Sequence, residues 1–334
     1  MNPSPSPSTS ALDKTVPMAP GIRRLGRFLR WMPGTSVASM DLAQIERVQS
    51  LRKRNPVLSL LFGDVRPGVR FADRTLAAEG RDITVRVYTP EAAAAGPRPL
   101  VLAIHGGGFV LGNLLGEDWM ASTVCRDLDA IVVSVDYRLA PRHPFPAAVE
   151  DCYAALCWAT AHASELGATA GKLGVMGESA GGNLSAVLCL LARERGGPAI
   201  HHQTLLYPGL NPTADTESRR RHAQALILTA ADSAAFHRHY LGPTGDPLDW
   251  RISPALAPDH RQLPPALIIV AGHDLLHDDG VAYASQLQAA GVPTTLREFP
   301  AMPHGFLNFP RFSRDAEPAM ALVVQAQRAV LQAR

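Results

Sequence analysis

The feature that most constrains this chain is a series of short apolar segments, each followed by a stretch with helical periodicity. PLVLAIHGG, AIVVSVDY, KLGVMG, QTLLYPG, PALIIVAGHD and TTLREFP occur in this order between residues 99 and 300. Continuous apolar runs of this length suit strands buried on both faces. Between and after them, patterns at 115–128, 147–166, 180–195, 279–290 and 314–332 predict helices. Such alternation argues for a mostly parallel sheet covered by helices on both sides. Ahead of it, VRFADRTL and DITVRVYTP alternate β-branched and polar residues, predicting two antiparallel strands joined by a turn at Glu79-Gly80.

The N-terminal part has a different texture. Residues 2–10 are Pro/Ser low complexity with nothing to bury, so 1–20 are expected to form a flexible tail. In GIRRLGRFLRWM, residues 21–32, Ile22, Leu25, Phe28, Leu29 and Met32 recur at helical spacing, with arginines on the other face. A second amphipathic segment carries Leu42, Ile45, Val48 and Leu51, and a Pro/Gly-punctuated region runs from Pro56 to Gly68. Residues 1–60 hold nine Lys/Arg against three acids, although the whole chain is only +2. That balance implies no nucleic-acid partner. The basic helix at 21–32 has two readings, packing onto the core or a weak contact with an anionic membrane surface.

Cys125, Cys152, Cys157 and Cys189 form no CxxC pair and sit among apolar residues, so they are expected to be free thiols. The start lacks the basic and apolar regions of a secretory signal, and AVLCLLA and ALIIVAG are far shorter than a spanning helix needs. A cytoplasmic location is the expectation.

Two glycine-rich turns follow buried strands. GESAGG, Gly177 to Gly182, is a GxSxG pattern centred on Ser179; its glycines permit a sharp strand-to-helix turn with the hydroxyl exposed beside a helix N-terminus. Alone, the pattern also fits an ordinary turn. HGGGFVLG, His105 to Gly112, follows PLVLAI, and its three consecutive glycines cost conformational entropy on folding.

These turns, together with DYRLAPRHPFPAAVED at 136, YPGL at 207, HDLLHDDG at 273 and MPHGF at 302, stand in the order found in the hormone-sensitive-lipase-like esterases and lipases of the α/β-hydrolase fold, which the sequence resembles over roughly residues 100–310. The resemblance implies a central, mostly parallel sheet of about eight strands with a helical cap. The cap would come from 21–65 and from an insertion at 211–250, with 66–334 as the catalytic domain. It implies a Ser179 nucleophile, Asp274 as acid with Asp278 and Asp279 as positional rivals, and His304 as general base. It further implies an oxyanion hole from the amides of Gly107, Gly108 and Ala180, with His105 and Gly106 supporting the loop.

The expected activity is serine carboxylesterase hydrolysis of short- to medium-chain acyl esters through an acyl-enzyme. Amidase, aryl-ester deacetylase or lactonase chemistry would use the same triad. A small-molecule binding protein of this fold would have lost the base, and this sequence keeps His304. No metal or organic cofactor is expected; the His273, Asp274, His277, Asp278 cluster offers a metal reading, but the motif order accounts for Asp274. Relatives often pair, so a homodimer through TTLREFP or 314–332 is a further expectation. The sequence departs from the family pattern at Arg142, where Glu is usual, at Glu178, where Asp is common, and at Leu275, where Pro is common. His201, His202, His222, His237, His239, His273 and His277 are read as surface or structural, and Arg219-Arg220-Arg221-His222 as a solvated face.

Overall fold

The computed structural model describes residues 16–333 apart from 33, 52 and 79. The Pro/Ser-rich start and Glu79 of the expected turn lie outside the described residues. The chain builds strands β1 (Val69–Ala78), β2 (Arg81–Pro90), β3 (Arg98–Ile104), β4 (Ile131–Asp136), β5 (Ala168–Glu178), β6 (His202–Leu206), β7 (Ala266–His273) and β8 (Thr294–Pro303). Its helices are α1 (Pro20–Trp31), α2 (Leu42–Gln49), α3 (Pro56–Phe62), α4 (Leu114–Leu128), α5 (Ala147–Ala161), α6 (Ala180–Glu194), α7 (Glu217–Arg221), α8 (Ala230–Leu241), α9 (His277–Ala289) and α10 (Ala316–Leu331).

One sheet carries the strands in the order β1-β2-β4-β3-β5-β6-β7-β8. β1 and β4 pair with β2 antiparallel, and every other neighbour is parallel. The strand alternation feeds two cores. Leu100, Leu102 and Ile104 of β3 point into a layer with Val149 of α5, Leu184 of α6 and Tyr283 of α9. Val101 and Ala103 point the other way, toward Met120 of α4 and Val323 of α10. A strand buried on both faces has no room for a polar alternation, which is why these segments read as unbroken apolar runs.

The sequence reading differs from the structure in four places. Residues 56–62, within the Pro/Gly-punctuated region to which the sequence reading assigns no element, form α3: Asn55 Oδ1 accepts the Val57 and Leu58 amides and Pro56 occupies the first turn, where its missing N–H costs nothing. In α2 only Ile45 is fully buried, and Leu42 and Leu51 are exposed. Residues spaced by three drift about 60° around a helix at each step, so four of them cannot share one face. In α1 the core takes Ile22 and Leu25, leaving Phe28 and Met32 exposed. Arg219 is not solvated with its neighbours; it turns inward to the buried carboxylate of Asp279, 2.9 Å away. The chain is also held ahead of α1, where the Ala19 N–H donates to Ala301 O at 3.0 Å. Among the described residues, no helix is long and apolar enough to cross a membrane.

Candidate active site

The site assembles at the C-terminal ends of the parallel strands. β3 and β5 pair in a register that sets Ile104 opposite Gly177, so the two glycine-rich turns leave the sheet side by side. Ser179 sits between β5 and α6 with φ 54° and ψ −113°, a conformation rarely adopted by a residue with a side chain. The turn is held by the Ser179 N–H donating to Leu206 O at 2.9 Å and by the Asn183 N–H donating to Ser179 O at 3.0 Å. Gly181 is required by close approach: a Cβ there would lie 1.9 Å from Ile104 O.

His304 follows β8 on a short loop, and its Nε2 lies 2.8 Å from Ser179 Oγ. Its Nδ1 lies 2.7 Å from Oδ2 of Asp274, which is fully buried just beyond β7. The second carboxylate oxygen, Oδ1, accepts the Leu276 N–H at 2.9 Å. Burial acts to lower the His304 pKa, but the charge of Asp274, the hydrogen bond to it and the charge of Glu178 outweigh burial and raise it above 6.5. The positional rivals of Asp274 are engaged elsewhere. Asp278 accepts the Ser218 N–H and meets His277 Nδ1, while Asp279 accepts the Leu210 and Asn211 amides and the Arg219 guanidinium.

The HGGG turn supplies the facing wall. Gly107 and Gly108 adopt φ values of +104° and +61°; a Cβ on Gly108 would fall 2.3 Å from the Phe236 ring. The amides of Gly107, Gly108 and Ala180 meet no protein acceptor among the described residues. All three residues line the same cavity as Ser179 and His304. His105 takes no part in the Ser179–His304–Asp274 relay: its ring stacks on Tyr137 with centroids 4.2 Å apart, its Nδ1 lies 2.8 Å from Gly106 O, and its carbonyl accepts the Tyr137 hydroxyl at 2.9 Å.

The sequence flagged Glu178 only as a departure. In the structure its Oε1 accepts the Gly106 N–H at 2.7 Å and the Asn308 side-chain amide at 3.2 Å, tying the residue before Ser179 to the HGGG turn. Burial pushes its carboxyl above the usual range, against the pull of His304 and these two bonds. Nearby Glu117 is 1% exposed, and neither of its carboxyl oxygens meets a hydrogen-bond partner among the described residues. Burial foremost, then the charges of Glu178 and Asp118, hold it well above the ordinary carboxylate range. Glu178 is signalled by its place beside Ser179. Its partner Gly106 lies 72 positions away, and no local pattern joins them.

The cavity over Ser179 is about 190 Å³, with apolar walls that include Ile227, Leu228, Phe236, Leu276 and Phe309. Phe236 and His237 come from α8, and burial foremost, then Arg219, lowers the His237 pKa to about 4, so this imidazole is neutral at pH 7. Ser36 donates to Asp232 of α8, and Arg30 reaches Gln224, so the N-terminal segment braces the same insertion.

A family model described as alpha/beta hydrolase fold matches residues 101–308. The carboxylic ester hydrolase LipN of Mycobacterium tuberculosis is 45% identical over 79% of this chain and 71% of its own length. The ethyl acetate hydrolase of Pseudomonas putida is 35% identical, over 74% of this chain and 79% of its own. Among solved structures, a hyperthermophilic esterase from the archaeon Pyrobaculum calidifontis superimposes with a TM-score of 0.85 at 35% identity, covering 94% of this chain and 99% of that one. With its sheet order, its two glycine-rich turns and these likenesses in agreement, the chain belongs to the hormone-sensitive-lipase-like esterase and lipase family of the α/β-hydrolase fold.

Proposed function

We propose that this protein is a carboxylic ester hydrolase that cleaves small, uncharged esters of short to medium acyl chains through an acyl-enzyme on Ser179. The observation that carries the reading is the unbroken relay Ser179 Oγ, His304, Asp274, at 2.8 and 2.7 Å, in a cavity shared with three unengaged amides. A serine hydroxyl is a weak nucleophile until a base takes its proton. His304 Nε2 accepts that proton as Oγ bonds to the ester carbonyl carbon, and the carbonyl π pair moves onto oxygen. The Gly107, Gly108 and Ala180 amides stabilise the resulting oxyanion. The imidazolium then returns its proton to the departing alkoxide as the C–O bond breaks. Water, deprotonated by the same imidazole, releases the acid and restores Ser179. Asp274 fixes the Nδ1–H tautomer and offsets the imidazolium charge.

The substrate class follows from the walls. Among the described residues no Lys, Arg or Asp lines the cavity, and the one carboxyl there, Glu178, is occupied with Gly106 and Asn308. A charged acyl chain would lose its hydration there without a counter-charge. Residues 21–65 and 211–250 act as a two-part cap, the insertion shaping the cavity through Ile227, Leu228 and Phe236 and the N-terminal segment bracing it. The ethyl acetate hydrolase among the relatives supports a small ester as substrate.

Labelling with a fluorophosphonate and mapping the adduct by mass spectrometry tests the nucleophile, with Ser179 the expected site. A panel of p-nitrophenyl esters of increasing acyl length, alongside anilides and lactones of matched size, tests the substrate. Turnover should peak among the shorter esters. An adduct elsewhere, or hydrolysis unchanged in Ser179→Ala, would overturn the mechanism; faster anilide than ester cleavage would overturn the substrate class.

A further inference from the structure

We infer that the face formed by α1 and α3 docks on the surface of an anionic lipid bilayer. α1 has two different sides. Ile22 and Leu25 face the core, while Trp31 is 82% exposed and Phe28 55% exposed. At about 100° per residue, Phe28 and Met32 fall on the flank of α1 beyond Leu25. There they line an apolar groove of about 680 Å³ together with the exposed Val57 and Leu60 of α3.

Charge says what covers this groove. Among the described residues no Asp or Glu lines it, whereas Arg24 and Arg311 do. Arg23 and Arg27 stand on the same helix, which carries no acid. All four arginines are exposed, and none of their guanidinium groups makes a hydrogen bond or ion pair with another described residue. Exposed aromatic and aliphatic side chains ringed by unpaired arginines match a bilayer interface, where the apolar groups enter the headgroup boundary and the guanidiniums meet lipid phosphates. A second copy of the chain fits poorly, since two-fold pairing of this face would set its arginines against their own images.

The face also adjoins the catalytic cavity. Phe62 of α3 packs on Phe309 with ring centroids 5.8 Å apart, and Phe309 lines that cavity. The Phe312 N–H, from a residue lining the groove, donates to Phe309 O at 3.0 Å. Docking would bring the cavity wall near the depth at which apolar esters concentrate.

The test is co-sedimentation of the full chain with phosphatidylcholine vesicles, with and without phosphatidylglycerol, at low and high salt. Binding is expected only with phosphatidylglycerol, weakening as salt is added. Arg24→Gln/Arg27→Gln should reduce partitioning by roughly fivefold per arginine, with an unchanged thermal midpoint. Brominated lipid should quench tryptophan emission of the unaltered protein more strongly than that of Trp31→Phe, which reports contact without depending on a weakened variant. The inference is overturned if phosphatidylglycerol vesicles bind nothing at low salt, if the double variant partitions undiminished, or if neutral vesicles bind equally well. It is also overturned if sedimentation equilibrium shows a dimer that Trp31→Ala abolishes, because the face would then be covered by a second copy.

Discussion

Replacing Asp274 by Asn removes one charge and almost no volume, and the surrounding hydrogen bonds dictate the result. Oδ1 of Asp274 accepts the Leu276 N–H at 2.9 Å, and that donor is fixed in the backbone. An asparagine must therefore keep its carbonyl oxygen on the Leu276 side and turn its NH2 toward His304 Nδ1. The imidazole then accepts at Nδ1 and carries its proton on Nε2, which faces Ser179 Oγ 2.8 Å away. A protonated Nε2 cannot accept the serine proton. In a triad with this geometry the wrong tautomer costs roughly 10⁴-fold in kcat, or about 5.5 kcal/mol of transition-state stabilisation. The assay is steady-state hydrolysis of a short p-nitrophenyl ester by the two proteins, with circular dichroism to verify folding. KM should change little, because Asp274 does not touch the cavity. A loss smaller than about tenfold would refute the tautomer argument. So would a large loss expressed entirely in KM.

Three further outcomes follow from the geometry. His304 must be neutral to act as base, and its pKa is raised above 6.5, so kcat/KM should fall as pH drops through a limb lying above that value; a pH–rate profile flat down to pH 6 would contradict it. Gly108→Ala places a Cβ 2.3 Å from the Phe236 ring at φ +61°, so kcat should fall about 10²- to 10³-fold from displacement of one oxyanion donor, and Phe236→Ala in the same chain should restore part of the loss, as kinetics of both variants would show. Glu117→Met should stabilise the fold by about 1–3 kcal/mol in thermal unfolding, since it removes a buried carboxyl without partners. The sign of its pH dependence is fixed: the folded carboxyl keeps its proton while the unfolded one ionises above 4.5, so the wild-type chain loses stability as pH rises and the variant's advantage grows from pH 4.5 toward 7.

The parallel sheet was legible because strands such as β3 bury both faces and leave a continuous apolar signature. Ser179, Asp274 and His304 were legible because each follows a strand end in a motif whose order is informative, and the structure brings these three together. Other features depend on partners far along the chain. Arg219 resembles its two neighbours in sequence, and only the packing of α7 against α9 decides that it turns to Asp279. Phe28 and Met32 satisfy the helical spacing of Ile22 and Leu25, yet the core reaches only one edge of that stripe. Glu178 was visible as an unusual neighbour of the nucleophile, but its hold on Gly106 exists only once β3 and β5 are paired. Local chemistry was readable from the chain; the choice among equivalent side chains was made by tertiary contacts.

The groups of the candidate site hang from the ends of β3, β5, β7 and β8, and His304 is the last of them in chain order. In the proposed mechanism a chain without β8 therefore carries an inert Ser179, because it lacks the base that would activate it. Hydrolytic power then requires β8 laid beside β7, with Asp274 and His304 within reach of one another. Turnover in this protein is thus a report on the pairing of β8, and a copy lacking that strand is chemically silent.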